Sequence, residues 1–456
     1  MSCNEWRETE LGLIPMDWDV KTIGEIGKVV GGGTPNTKEY KYWDGDISWI
    51  TPKDLSGFNE RYIYKGERSI TKEGLENSSS KLLPKGTVLF SSRAPIGYVA
   101  IAGKELATNQ GFKSIICNDE IAYNIFVYYL MKYKKNEVEQ IANGSTFKEV
   151  SGKVLSEFKV VLPPLHEQKA IAKILSDLDE KIEINNRINK VLEEIAQTIF
   201  KRWFIDFEFP NENGEPYKSS GGEMVDSELG PIPKGWEVGR FRDYIETIIS
   251  GDWGKENLTG NYKKSVYCVR GADIPEIKKG IKKNLPIRFI NEKNYLNKKL
   301  IENDLVVEIS GGSPTQATGR ILYINVELLK GYDKDLICSN FCKVIRLKDV
   351  KLMPYFFFYW EYLYNEGVFF QFENGTTGIK NLDINSFIDN FIILKPQEEV
   401  LQKYNLFVRK LLSIIHYNGL ENQNLSQLRD ALLPKLMSGE IRVDLNNDQI
   451  VLKNED

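Results

Sequence analysis

His166 and His416 are the only histidines in this chain, and each falls in or beside a long helical pattern. Two imidazoles so placed, away from any candidate pocket, leave no Ser-His-Asp or Cys-His arrangement and no HExxH zinc site. The five cysteines, at 3, 117, 268, 338 and 342, contain no CxxC pair. The nearest two, Cys338 and Cys342, lie in a strand-like run and read as buried small residues rather than ligands. No GxxxxGK[ST] loop is present, and ISGGSPTQATG from Ile309 has neither the lysine nor the spacing of a phosphate loop. Gly31 to Gly33 do not open a GxGxxG turn before a helix, so neither a dinucleotide nor a methyl-donor fold is indicated. The pair Pro163-Pro164 in LPPL lacks the preceding Asn and following aromatic of an amino-methyltransferase pocket. Acidic residues are plentiful, but their spacing singles out no nuclease centre. These residues describe a reader, with no catalytic residue, metal or cofactor expected.

The elements that must position a reading surface occur twice. LGLIPMDWDV from Leu11 returns as LGPIPKGWEV from Leu229, and NGSTFKEVSGKVLSEFKVVLPP from Asn143 returns as NGTTGIKNLDINSFIDNFIILKP from Asn374. Leu11 and Leu229 are 218 positions apart, whereas Asn185 and Asn418 are 233 apart, so the second copy carries about 15 extra residues in its middle. Short strands are predicted in the first copy at VVGGG, DISWIT, GTVLFSS and SIIC, with a helix at YNIFVYYLMKY from Tyr123. The second copy answers with SVYCVRG, DLVVEISGG, GRILYI and FCKVIRL, and a helix at PYFFFYWEYLY from Pro354. Each unit is therefore α+β. Two related but different surfaces suit a duplex carrying two half-sites.

A long helix follows each unit. From Leu165 to Phe204, apolar residues at Ile171, Leu175, Leu178, Ile182, Leu192, Ala196, Ile199 and Trp203 step by threes and fours, as a coiled-coil seam does. The second helix copies this with Tyr404, Val408, Leu411, Ile415, Leu425, Leu432 and Leu436, with Gly419 a weak point and Pro434 expected to kink the last turn. Forty residues of helix span about 60 Å. The seam is interrupted by Asn185 and Asn189 in the first helix and Asn418 and Asn422 in the second. Antiparallel pairing would bring Asn185 to Asn422 and Asn189 to Asn418, a polar layer that can fix register; solvent-facing asparagines are the alternative. The expected partition is 1–162 first domain, 163–207 central spacer helix, 208–224 surface linker, 225–395 second domain, 396–442 C-terminal spacer helix and 443–456 a loosely ordered tail.

Hydrophobic residues at 41% and charged residues at 27% suit globular domains with sizeable cores. No apolar run reaches the roughly 20 residues of a membrane helix, and MSCNEWRETELG has no basic or apolar leader region. With scattered cysteines, this points to a cytoplasmic protein. The net charge of −4 is unlike that of a free nucleic-acid binder. Lysines nonetheless cluster at 263–264, 278–279, 282–283 and 298–299, and the first unit offers Lys38, Lys41, Lys53, Arg61, Lys65, Arg68 and Arg93. Contact with DNA on one side only, or shared with a more basic partner, reconciles these.

The openings GLIPMDWDV and GPIPKGWEV, the run PPLHEQKAIAKILSDLDEKIEINNRINKVLEEIAQTIFKRWF and LRDALLPKLMSGEIRV from Leu428 resemble the specificity subunits of type I restriction–modification systems over nearly the whole chain. The resemblance implies two similar target-recognition domains separated by two long helices in an antiparallel coiled coil. It implies that each domain reads one half of an asymmetric bipartite DNA site, and that the helices set the spacing and dock two methyltransferase subunits. ATP-dependent restriction subunits, acting as translocase and nuclease, complete such a complex. A coiled-coil scaffold binding protein through its globular units is the alternative. Within this resemblance, hydrogen-bonding side chains on Gly-rich loops are the candidate base readers. In the first unit these are Gly33, Thr34, Pro35, Lys53, Ser92, Arg93, Asn109 and Gln110. In the second they are Trp253, Lys255, Arg270, Thr315, Gln316, Arg320 and Asn340. GGGTP and NQG serving only as turns, with Arg93 capping a strand, is the competing reading. Asp177, Glu180, Glu183, Arg187, Lys201 and Arg202 are candidate partner contacts on the helices, and Trp203 with Phe204 is expected to pack against protein.

Overall fold

The computed structural model describes residues 6–142, 148–313, 315–375, 379–446 and 449–453. Cys3 and the start of the NGSTF motif, 143–147, lie outside them, as do 376–378 of its second copy. The chain forms two compact units, Met1–Glu183 with Asn424–Asp456, and Ile184–Gln423. Both long helices, expected as separate spacers, divide between these units, because each half-helix packs its apolar stripe into the core of its own unit.

In the first unit, Val88–Ser92 is buried along its length and lies between Lys113–Cys117 and Ile96–Ala102, both antiparallel to it. Gly27–Gly31 and Tyr62–Ile63 form the edges of this five-stranded sheet. A second sheet centres on Trp43–Ile50, with Ala107–Thr108 parallel on one side and Arg68–Ile70 antiparallel on the other. The helix Asn124–Tyr133, apolar all round in sequence, buries Phe126 through Met131 against the larger sheet. Ala170, Ile171 and Leu175 of the first long helix and Leu436 and Met437 of the second close the same core.

The second unit repeats this topology with a four-stranded larger sheet that lacks a counterpart of Tyr62–Ile63. Cys342–Leu347 lies between Ile245–Ser250 and Leu305–Glu308, with Ile321–Tyr323 at the edge, all antiparallel. Tyr262–Val269 is flanked by Ile287–Asn291 antiparallel and Leu336–Cys338 parallel. The buried helix is Met353–Asn365, started by Pro354 in its first turn. A helix at Val326–Lys330, between Tyr323 and Leu336, has no counterpart in the first unit and accounts for part of the extra length. The core here is aromatic: Phe204, at the end of the first long helix, contacts Tyr355 and Tyr404 edge-on at 4.8 Å ring separation.

The first long helix is Leu165–Phe204 and the second Glu398–Ser438. They run antiparallel within each unit. Glu167 meets Arg442 and Asp179 meets Arg429 in the first unit, while Asn189 meets Asn418 and Phe204 meets Tyr404 in the second. Several expectations are corrected. The second helix continues past Pro434 and stops at Ser438 rather than 442, because Gly439 adopts a left-handed conformation, φ 80°. The tail is not loose throughout, since Arg442–Asn446 pairs antiparallel with Gln449–Lys453. The 208–224 segment is not wholly a surface linker, since Phe209 is buried and stacks on Tyr217 and Trp236. Among the described residues, no helix is long and apolar enough to cross a membrane.

Candidate nucleic-acid interface

Three loops of the first unit converge on one corner. The N–H of Gly33 donates to the carbonyl of Thr108 at 2.9 Å, and that of Ser92 to the carbonyl of Gly111 at 2.7 Å. A methyl group on Gly32 would overlap the carbonyl of Asn109, so this approach requires glycine. Thr34 Oγ1 donates to Gln110 Oε1 at the surface. Arg93 and Lys113 share the Glu149 carboxylate at 3.3 and 3.2 Å, with the Arg93 side chain about a third exposed. The corner thus offers Thr34, Arg93 and Gln110 outward on a braced backbone.

The other candidates of this unit serve the scaffold. Gly33 and Pro35 are buried, and the Gly33 carbonyl accepts from the Trp49 indole at 2.9 Å. Ser92 is fully buried with its hydroxyl on the Gly111 carbonyl, which corrects the expectation that it faces a ligand. Asn109 accepts from the N–H of Gly111, closing the turn. Lys53 is exposed on the adjoining turn Pro52–Leu55, ion-paired to Glu67 at 2.7 Å.

The second unit builds the same corner from different residues. The N–H of Asp252 donates to the carbonyl of Cys338, and that of Ile309 to Phe341, and a methyl group on Gly251 would overlap the carbonyl of Ser339. These contacts align Gly251 with Gly32, Ile309 with Ser92 and Ser339 with Asn109. Trp253 then stands where Thr34 does, Ser310 where Arg93 does, and Asn340 where Gln110 does. Trp253 stacks under the Arg288 guanidinium, 3.9 Å from the ring centre. Asn340 is exposed, as is Phe341, and Ser310 Oγ donates to Asn381 at 2.5 Å. Ser310, Phe341 and Asn381 escaped the sequence reading; aligning the two copies strand by strand would have found the first two.

Five further candidates stand apart from this corner. Thr315 and Gln316 are exposed on the Ser313–Gln316 turn. Lys255 exchanges backbone hydrogen bonds with Phe289. Arg270 forks onto Asp273, capping a 3-10 turn. Arg320 is corrected outright: both its donors lie on the buried Glu308 carboxylate, at 2.7 and 2.5 Å, leaving a structural ion pair rather than a base reader. The lysine clusters are largely neutralised, Lys299 by Asp335, Lys264 by Glu292 and Lys278 by Glu361 and Glu193. Cys338 and Cys342 are buried in strands, and desolvation pushes the Cys342 thiol up to about 12, so it is unreactive. No group of three or more His, Cys, Asp or Glu side chains that could hold a metal ion occurs among the described residues.

On the helices, the four asparagines are all buried and form two pairs across the helices. Asn185 donates to Asn422 at 2.9 Å and Asn418 to Asn189 at 2.8 Å, while Asn422 donates to Asn186 at 2.9 Å. Asn189 also reaches the Ile415 carbonyl at 3.0 Å. Changing Asn185 and Asn422 together to Leu is expected to raise the melting temperature of the second unit by about 2–4 °C, since both partners become apolar at once. Cross-linking between the helices should then trap more than one register. A single register with an unchanged melt would show that the layer does not hold the alignment. Of the charged helix residues, Glu183 is bound to Arg61 and Asp177 to Lys173, whereas Phe204 is core.

A repeated α+β unit whose long helices pair antiparallel within each unit is the architecture on which these corners are built. Residues 15–194 match the family of the type I restriction modification DNA specificity domain. The chain belongs to the specificity subunits of type I restriction enzymes: over 450 residues it is 39% identical to the MjaIX specificity subunit of Methanocaldococcus jannaschii, covering 96% of this chain and 97% of that one. It is 24% identical to the HindI specificity subunit of Haemophilus influenzae over 502 aligned positions, covering 93% of this chain and all of the relative. The crystal structure of an S subunit from M. genitalium shares the fold, with a TM-score of 0.57 at 15% identity over 92% of this chain and 96% of that one.

Proposed function

We propose that this chain is the DNA-reading subunit of a type I restriction–modification complex, inactive alone, in which each unit reads one half of an asymmetric bipartite site. The reading bodies are residues 1–162 and 225–395, and the helices space the half-sites. One observation carries this reading. The same braced corner is built twice, and it presents Thr34, Arg93 and Gln110 in one copy but Trp253, Ser310 and Asn340 in the other. Arg favours guanine, and Gln or Asn favours adenine, so the two corners suit different base sequences.

The partners are double-stranded DNA, two methyltransferase subunits and the restriction subunits. Ile184, Ile188, Val191 and Ile195 step by four, three and four along the first long helix and are each 38–51% exposed, outside the seam that pairs the two helices. A helical face of a methyltransferase subunit is the occupant that this spacing fits, by the same interdigitation that forms the inner seam. Phosphate contacts supplied by that subunit reconcile DNA binding with the net charge of −4.

Co-expression with the cognate methyltransferase subunit, followed by genome-wide mapping of methylated adenines, tests this reading. One bipartite, asymmetric motif is expected; a stable complex that methylates no motif would refute half-site reading. Within it, Arg93→Ala is expected to weaken cognate binding about 5- to 150-fold, the equivalent of about 1–3 kcal/mol for one base contact. Non-cognate affinity should stay unchanged. A uniform loss across sequences would instead assign Arg93 to a phosphate.

A further inference from the structure

Beside the core that the long helices close in each unit, one loop of each globular body also seats against the helices, and the two loops are equivalent. Arg61 is the eleventh residue after Ile50, the end of the central strand of the smaller sheet, and Gly280 is the eleventh after Val269, the end of its counterpart. On the helices, Glu183 and His416 each stand two residues before an asparagine of the polar layer, Asn185 and Asn418. Arg61 meets Glu183, and Gly280 meets the turn of His416. The same joint is therefore made twice, with different chemistry.

In the first unit the joint is a charged fork. The Arg61 N–H donates to Glu183 at 2.9 Å, and its guanidinium reaches the two carboxylate oxygens at 3.1 and 3.2 Å. Both side chains are nearly buried. In the second unit the joint is backbone on backbone. A methyl group on Gly419 would overlap the carbonyl of Gly280, and one on Gly280 would lie 2.7 Å from the carbonyl of Ile415. Gly419, which looks like a weak point of the helix in sequence, is what lets the loop seat. Asn189 Nδ2 reaches the Lys279 carbonyl at 3.4 Å, and Lys278 bridges Glu193 of the first long helix to Glu361 of the buried helix. The extra helix Val326–Lys330 backs the contact: Leu328 lines a narrow cavity with Gly280, His416 and Leu420, so His416 does border a pocket. Ser413 donates to Glu327 at 3.2 Å.

Such joints admit one geometry, because a buried fork or a close backbone approach is lost on small rotations. A turn of the body on its helices would shift the reading corner relative to base pairs that stand only about 3.4 Å apart. We infer that the Arg61–Glu183 and Gly280–Gly419 joints are specificity-determining: they fix the orientation of each reading body on the helices and so the single spacer length the protein accepts. This rests on the half-site reading above.

The test uses the full chain co-expressed with its methyltransferase subunit, as wild type, Gly419→Ala and Glu183→Gln. Wild type should methylate one bipartite motif with one spacer length. Each variant should methylate the same two half-sites, with neighbouring spacer lengths rising above a tenth of the cognate frequency. Hydrogen exchange on the purified Gly419→Ala complex should show faster exchange at 278–283 and 413–420 and none of it in Leu305–Glu308. Faster exchange with an unchanged single spacer would overturn the inference, as would unchanged exchange. If Gly419→Ala does not assemble, the spacer profile of Glu183→Gln decides alone. Absence of any bipartite motif in the wild type would instead remove the half-site reading, and this inference with it.

Discussion

Arg442→Met is expected to destabilise the first unit by about 3–5 kcal/mol, because it strands a buried carboxylate. Glu167, in the first turn of the first long helix, is fully buried. Its carboxylate accepts from Arg442 Nε at 2.8 Å and Nη2 at 2.9 Å, from the Trp18 indole at 2.9 Å and from the N–H of Val443 at 3.3 Å. Hydrogen bonding to Glu167 holds the Arg442 guanidinium above its ordinary range. The second unit solves the same place without charge. Glu167 and Val400 are 233 positions apart, as are Phe209 and Arg442, and Phe209 stacks on Trp236 where Arg442 lies over Trp18. The double change Glu167→Val with Arg442→Phe should therefore recover most of the loss, leaving the Trp18 indole unpartnered as that of Trp236 already is. Denaturant unfolding measures both. A loss below about 1 kcal/mol for the single change would mean that water reaches the carboxylate and replaces the arginine.

Phe204→Ala should cost the second unit about 3–5 kcal/mol, the range for emptying an aromatic site that cannot collapse. Phe204 is 1% exposed and touches five other rings: Phe200, Trp203, Trp236, Tyr355 and Tyr404. Those neighbours come from the first long helix, the second long helix, the buried helix Met353–Asn365 and the loop before Glu237. Relaxation of one would open a gap against another, so the cavity persists. Phe204→Leu should lose less than half as much. The expected readout is a lowered unfolding midpoint of this unit. Comparable losses for Ala and Leu would point to ring-specific contacts rather than to volume.

Much of the fold was legible because it is local. The stepping of Ile171, Leu175, Leu178 and Ile182 announces a helix and its buried face without reference to distant residues. The run of Phe126 to Met131 announces burial on every side. The asparagine interruptions, placed alike in both helices, carried enough pattern to anticipate their partners. Features set by pairing were less legible. Ser92 and Arg93 are neighbours with similar sequence credentials, yet one is sealed against Gly111 and the other reaches the surface. Alternation along the strand decides that, and its phase depends on the register with Gly111 to Lys113. Arg320 looked available because its partner, Glu308, lies twelve residues away on another strand.

Sequence by itself determined the repeat, the two long helices, the antiparallel order of their asparagines and membership in the specificity-subunit family, since these rest on spacing and identity along the chain. Tertiary structure alone decided which polar side chains are spent inside. It made Gly280 and Gly419 touch, put Arg61 on Glu183, buried Phe209 in a segment composed like a linker, and gave Asn340 the place that Gln110 holds in the other copy. Each of those outcomes depends on which backbones approach within hydrogen-bonding distance, and residues far apart in sequence meet only when the whole core closes.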